Sequence, residues 1–260
     1  MKVSEKILQV IDVKKTYGSA QNKTEALRGM TFDVIPGEFL GIMGASGSGK
    51  TTLLNCIATI LRPTSGSILL NGKDIFSFRG NELADYRGYK IGYLFQEFEL
   101  LDNMTGRENI VLPLAIHNEK PQKSDAKLLG LAERLEITEV LEKFPSQMSG
   151  GEKQRVAVAR ALISNPSIVL ADEPTGALDS KNAKSLMDKL SVVNEEERAT
   201  ILMVTHDPNA ASFCSRILFI KDGVIFHELR RETPGESQND FFDRILTVLA
   251  QLGGGSDNVL

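Results

Sequence analysis

Cysteine is scarce in this sequence: 260 residues contain two, Cys56 and Cys214, at no repeating spacing. That excludes a disulfide framework and points to a reducing compartment. Long apolar runs are missing as well, since no stretch approaches the ~18 uncharged apolar residues of a membrane span. The start, Met1-Lys2-Val3-Ser4-Glu5-Lys6, leads into alternating residues and not into the apolar core of a signal peptide. A soluble, cytoplasmic chain is the expectation. Positive charge is not in excess either. Thirty basic against 34 acidic side chains leave a net charge of −4, which argues against a duplex-binding surface built on bulk charge but not against a local basic patch. Internal repeats and low-complexity tracts are absent. What is present is an ordinary globular composition, 42% hydrophobic and 25% charged, in a chain long enough for one large domain or two modest ones.

Residues 7–13 and 31–35 alternate roughly in polarity and read as half-exposed antiparallel strands, the second closed by the turn Pro36-Gly37. Phe39-Leu40-Gly41-Ile42-Met43 does not alternate, as befits a parallel strand buried on both faces. A glycine-rich loop and a helix over 50–60 follow, then strands over 67–70 and 91–95. From Thr105 to about Leu162 the spacing is helical, notably over 107–116 and over 127–141, where Leu128, Leu131, Leu135 and Val140 share a face. Buried strands return at 168–171 and 201–204 around a helix after Ser180, and 216–228 reads as a hairpin about Lys221-Asp222-Gly223. Buried strands alternating with helices predict an α/β core with a parallel sheet, and the stretch near 97–165 reads as a helical insertion into it. This makes 1–229 one domain. Residues 230–240 are linker-like, and Phe241, Phe242, Ile245, Leu246, Val248, Leu249 and Leu252 form an apolar helical face that Gly253-Gly254-Gly255 ends. That face either packs on its own domain or meets a dimer or permease partner.

Gly44-Ala45-Ser46-Gly47-Ser48-Gly49-Lys50-Thr51 matches the phosphate-binding loop pattern, and it stands after a buried strand and before a helix. Glycines let successive backbone N–H groups converge on phosphate oxygens at a helix N-terminus. Lys50 would reach the β- and γ-phosphates, and the Thr51 hydroxyl would ligate Mg²⁺. Asp172-Glu173 ends the strand over 168–171, and strand ends of a parallel sheet are where ligands gather. Asp172 suits Mg²⁺, and Glu173 suits polarising an attacking water. Gln96 and His206 also close buried strands, whereas His117 and His227 lack that placement. Ser149-Gly150-Gly151-Glu152 reads in two ways: as a helix capping box, or as a second phosphate-binding helix end whose glycines let something approach the backbone. Tyr17 is a strand-end aromatic or a base-stacking one.

Taken in order along the chain, Tyr17, residues 44–51, Gln96, Ser149-Gly150-Gly151-Glu152, Asp172-Glu173, Ala177-Leu178-Asp179 and His206 resemble the ATP-binding subunit of ABC transporters, over about residues 7–229. The resemblance implies a P-loop NTPase fold with an N-terminal antiparallel β subdomain, a RecA-like core and an inserted α-helical subdomain. It also implies ATP and Mg²⁺ as cofactors. Tyr17 would stack on adenine, with Gly44, Ala45, Ser46, Gly47, Ser48, Gly49, Lys50, Thr51 and Thr52 around the phosphates. Gln96, Thr51 and Asp172 would surround the metal, and Glu173 and His206 would act on the γ-phosphate and its water. Ser149, Gly150, Gly151 and Glu152 would meet ATP held by a second copy, and Asp179 would lie at that dimer interface. Two departures stand out: Met148 replaces the usual leucine before Ser149, and Glu152 replaces the usual glutamine. The added negative charge would oppose ATP-driven dimerisation, and a capping box would use it.

The segment from Leu101 to Leu114 resembles the lipoprotein-releasing and macrolide-exporter branch. Within that branch, residues 203–214 and 219–223, with the amphipathic C-terminal helix, resemble the ATPase of bacitracin-type peptide-antibiotic resistance modules. This implies a homodimer on the cytoplasmic face of a membrane, bound to an integral permease and, through it, often to a sensor histidine kinase. The alternatives are a lipoprotein-release or macrolide-efflux ATPase, or a soluble nucleic-acid-associated ABC ATPase. The last is disfavoured because no coiled coil, zinc-binding cysteines or second cassette interrupts the chain between Lys50 and Ser149. A scaffold that binds ATP without hydrolysing it would not need Lys50, Asp172, Glu173 and His206 together.

Overall fold

The computed structural model describes residues 6–19, 22–116, 121–232 and 235–253. Met1 to Glu5, His117, Thr233 and Pro234 of the linker-like stretch, and Gly254 and Gly255 lie outside them. Among the described residues ten strands form two sheets. β1 (Leu8–Tyr17), β2 (Thr24–Val34), β4 (Ser65–Leu70) and β5 (Lys73–Asp74) make a four-stranded sheet in the order β2-β1-β4-β5. All its pairings are antiparallel. The other sheet has the order β10-β9-β3-β8-β7-β6, with β3 (Phe39–Met43), β6 (Ile91–Leu94), β7 (Ile168–Asp172), β8 (Ile201–Thr205), β9 (Arg216–Lys221) and β10 (Val224–Arg230). Its strands are parallel except for β10, which folds back on β9 through Asp222-Gly223.

Burial on both faces explains the unbroken apolar runs. In β3, Phe39 and Met43 join a core with Val169, Ala171, Met203 and Phe219, while Leu40 and Ile42 join a second core with Leu170, Leu202, Val204 and Leu218. Successive strand residues face opposite ways, so each run feeds both cores. Helices α3 (Gly106–Ile116), α4 (Pro121–Arg134), α5 (Gly150–Leu162), α6 (Ser180–Glu197) and α8 (Gln238–Gly253) contribute to the first core. The antiparallel sheet and α1 (Lys50–Ile57) cover the other side. The short helices α2 (Asn81–Asp85) and α7 (Pro208–Ala211) lie in connections. α3, α4 and α5 all fall between β6 and β7. A buried bidentate ion pair, Arg216 Nε to Glu38 Oε1 at 2.6 Å and Arg216 to Glu38 Oε2 at 3.2 Å, joins the start of β9 to the turn before β3.

Two helices end earlier than the spacing predicts. The helix expected over 127–141 is α4 alone, and Leu135 and Val140 belong to separate turns. Glu136 takes φ +54, its N–H bonds the Glu133 carbonyl at 3.1 Å, and the Ile137 N–H reaches back to the Ala132 carbonyl at 2.9 Å. This is a left-handed helix stop of the Schellman type. Likewise α1 stops at Ile57, and Thr59 turns to φ +60. At the C-terminus, Phe241 and Ile245 are fully buried in the first core, with Val248 and Leu249 packed against it. Four residues of the expected apolar face of α8 therefore pack on its own domain, whereas Leu246 is 40% exposed and the Leu252 side chain lies outside the described residues. Among the described residues no helix is long and apolar enough to cross a membrane.

Candidate functional site

Register brings the site together. Met43 pairs with Thr205, Asp172 with Val204, and Leu94 with Ala171, so the carboxyl ends of β3, β6, β7 and β8 lie level. Whatever follows each strand must meet at one edge of the sheet. A cleft of about 600 Å³ opens there, lined by Ala45, Ser46, Gly47, Gly49, Lys50, Thr51 and Thr52 together with Gln96, Glu173, His206 and Ala26.

The loop before α1 is folded so that only glycine suits its last position. Gly49 takes φ +104, and a Cβ there would sit 2.5 Å from the Ala26 carbonyl oxygen. That φ is open to glycine without steric cost. Lys50 is buried and donates from Nζ to the carbonyls of Gly44 at 2.8 Å and Ala45 at 3.0 Å. Its Nζ lies 3.8 Å from Glu173 Oε1. The Thr51 hydroxyl donates to Asp172 Oδ1 at 3.1 Å. Burial holds the Asp172 carboxyl above its ordinary pKa and the adjacent Glu173 adds to this, while Thr51 and Lys50 act in the opposite sense. Tyr17 is 39% exposed, its hydroxyl lies 3.4 Å from Thr52 Oγ1, and the Lys15 ammonium sits 5.2 Å from its ring centre. Tyr17 thus stands beside the cleft, next to its lining residue Thr52, and does not itself line it.

Glu173 occupies the left-handed region at φ +48, a conformation that costs a non-glycine residue about 1–2 kcal/mol. Its Oε2 is 2.6 Å from His206 Nδ1, and its side chain is 13% exposed while that of His206 is 70% exposed. A carboxylate so placed is held by a histidine on one side and a lysine on the other, and it faces the cleft. Among the described residues no group of three or more His, Cys, Asp or Glu is arranged to hold a metal ion.

Ser149–Glu152 and Asp179 do not line this cleft. At Ser149 the capping box is formed. Its hydroxyl accepts from the Glu152 N–H at 3.3 Å and donates to Glu152 Oε2 at 2.8 Å, and that oxygen also accepts from the Ser149 N–H at 2.7 Å. These bonds hold the Glu152 carboxyl below its ordinary pKa. Gly151 is crowded from within the chain, because a Cβ there would meet Asn182 Oδ1 at 2.6 Å. Asn182 in turn is tied to Asp179, which caps α6 by accepting from the Lys181 and Asn182 N–H groups at 3.0 Å. The close approach that the glycine pair suggested is made, at Gly151, by Asn182. Ala26 and Asn182 are neighbours of the site that carry no motif of their own, and only the tertiary fold reveals them.

A family model described as ABC transporter matches residues 27–176. The chain is 49% identical to the bacitracin export ATP-binding protein BceA of Halalkalibacterium halodurans, over 95% of this chain and 97% of that protein. It is 47% identical to the ABC transporter ATP-binding protein YxdL of Bacillus subtilis, over 97% of each. Among solved structures it resembles the dimeric post-hydrolysis state of the ATP-binding cassette MJ0796 of Methanocaldococcus jannaschii bound to ADP and Pi. That match has a TM-score of 0.79 at 38% identity and covers 86% of this chain and 99% of the other.

Proposed function

The chain belongs to the ABC transporter family, as an ATP-binding and ATP-hydrolysing subunit, and from this membership we propose that it powers a permease that removes a bacitracin-like peptide antibiotic. Near-full-length identity of 49% to a protein named for bacitracin export supports the antibiotic class. The observation that carries the catalytic reading is the Glu173 carboxylate, held 2.6 Å from His206 Nδ1 in the cleft of the phosphate loop.

In this reading the loop amides and Lys50 bind the triphosphate, and Tyr17 stacks on the base. Thr51, Asp172 and Gln96 would hold Mg²⁺, which needs few protein ligands and would supply charge neutralisation for the phosphates. Glu173 accepts the proton of the attacking water, and His206 orients Glu173 and reaches the γ-phosphate. Ser149–Glu152 and Asp179 serve the nucleotide of a second copy. The homodimer is then head-to-tail with two shared sites; the dimeric state of the solved relative supports the pairing of two copies.

The permease meets a groove of about 350 Å³ between β6 and α3, lined by Tyr93, Leu112, Pro113 and Ile116. Ile116 is 67% exposed there. Arg160, on the same groove, donates to the carbonyls of Phe98 and Glu99, just past Gln96. An apolar helix of a membrane partner fits this surface and would place the chain on the cytoplasmic face, with a sensor kinase reached through the permease. The test is a cell in which the native copy is replaced by Ile116→Asp. We expect loss of co-purification with a multi-span membrane protein, retained ATP binding, and increased bacitracin sensitivity. Unchanged bacitracin sensitivity together with altered macrolide sensitivity would refute the antibiotic assignment, and undiminished co-purification would refute the groove.

A further inference from the structure

Gln154 lies one turn into α5, just beyond Ser149–Glu152, and is fully buried. Buried amides are ordinarily paired at both ends. Here only one end is paired among the described residues: Nε2 donates to the Pro174 carbonyl oxygen at 2.8 Å, whereas Oε1 is buried without a partner among them. The carbonyl can only accept, so the orientation of the amide is settled by its partner. Methionine would fill the same space without an orphaned acceptor. Space-filling therefore does not account for an amide at this place, and the bond to Pro174 does.

That bond grips the Pro174–Thr175 peptide, one residue beyond Glu173. The Glu173 N–H is bonded to the Val204 carbonyl at 3.0 Å, and the Glu173 carbonyl accepts from the Gly176 N–H at 2.9 Å. Both of these anchors come from the sheet and its own turn. The third, at Pro174, comes from α5. Between them they hold Glu173 at φ +48 with its carboxylate against His206 and Lys50. A backbone in that region relaxes unless its surroundings over-determine it.

We propose that Gln154 is a positioning residue for ATP hydrolysis, which ties Pro174, the residue after Glu173, to the helix behind Ser149–Glu152. The inference rests on Glu173 being the base. In a head-to-tail dimer, Ser149–Glu152 touches one ATP and Glu173 of the same chain serves the other, so the Gln154 bond also joins the two sites.

The test is a double-mutant cycle in full-length protein, read by single-turnover ATP hydrolysis and by nucleotide affinity. Gln154→Met should lower the hydrolysis rate about tenfold with Kd for ATP within about twofold of the parent, because only the aim of the base is lost. In a Glu173→Gln background the same change should have almost no further effect. Gln154→Asn, whose shorter amide falls short of Pro174, should behave alike and carries the test if the methionine variant does not fold. A parental rate in a folded Gln154 variant would overturn the proposal, as would an equal tenfold loss in both backgrounds. The Glu173→Gln variant alone judges the base: if it hydrolyses ATP at the parental rate, the base assignment fails, whatever Gln154 does.

Discussion

Glu173→Gln should bind ATP with parental affinity and hydrolyse it at least about 100-fold more slowly, the ordinary yield of a general base being about 10²–10⁴ in rate. The amide keeps the size and the strained backbone place of the carboxylate and can still meet the His206 ring. What it loses is the ability to take a proton. Lys50 and the phosphate loop are untouched, so binding is spared, and phosphate release with nucleotide titration separates the two quantities. Parental turnover in this variant would show that another group activates the water.

Lys50→Met should do the reverse and weaken ATP binding itself, by about 100-fold or more. Lys50 Nζ bonds the Gly44 and Ala45 carbonyls at 2.8 and 3.0 Å from a buried position, so the ammonium is already aimed where phosphate oxygens arrive. Charge-assisted bonds of this kind contribute about 1.5–3 kcal/mol each. Methionine preserves the packing of the stem, which keeps the loss from being a folding defect. Calorimetric titration checks the affinity, and a thermal melt checks the fold. Unchanged affinity would remove Lys50 from the phosphate site.

The sequence states the core strands almost outright. Phe39–Met43 and Ile201–Thr205 are apolar at every position but the last or a small one, because helices cover one face of the sheet and the antiparallel sheet and α1 the other, and that pattern needs no tertiary knowledge to read. The level ends of these strands then follow from parallel pairing, which is why Lys50, Gln96, Glu173 and His206 are legible as neighbours despite lying far apart in the chain. The end of α4 is not legible in this way. Its stop is executed by Glu136 in the left-handed region, where glycine or asparagine is the usual signal, and Leu135 and Val140 continue an apolar spacing across the break. α7 carries no apolar periodicity to reveal it, although Asp207 and Pro208 supply its cap and first residue. Asn182 and Gln154 were invisible for a different reason. Each acts through one hydrogen bond or one close approach to another helix or turn, which no periodicity encodes.

Ser149–Glu152, absent from its own chain's cleft, gives the account its central claim: ATP is held between the phosphate loop of one protomer and the α5 N-terminus of its partner. The most direct measurement is the mass of the Glu173→Gln protein by light scattering, with and without Mg-ATP. The account predicts twice the chain mass with nucleotide and the single-chain mass without it. Saturating ATP on a particle of single-chain mass would contradict it.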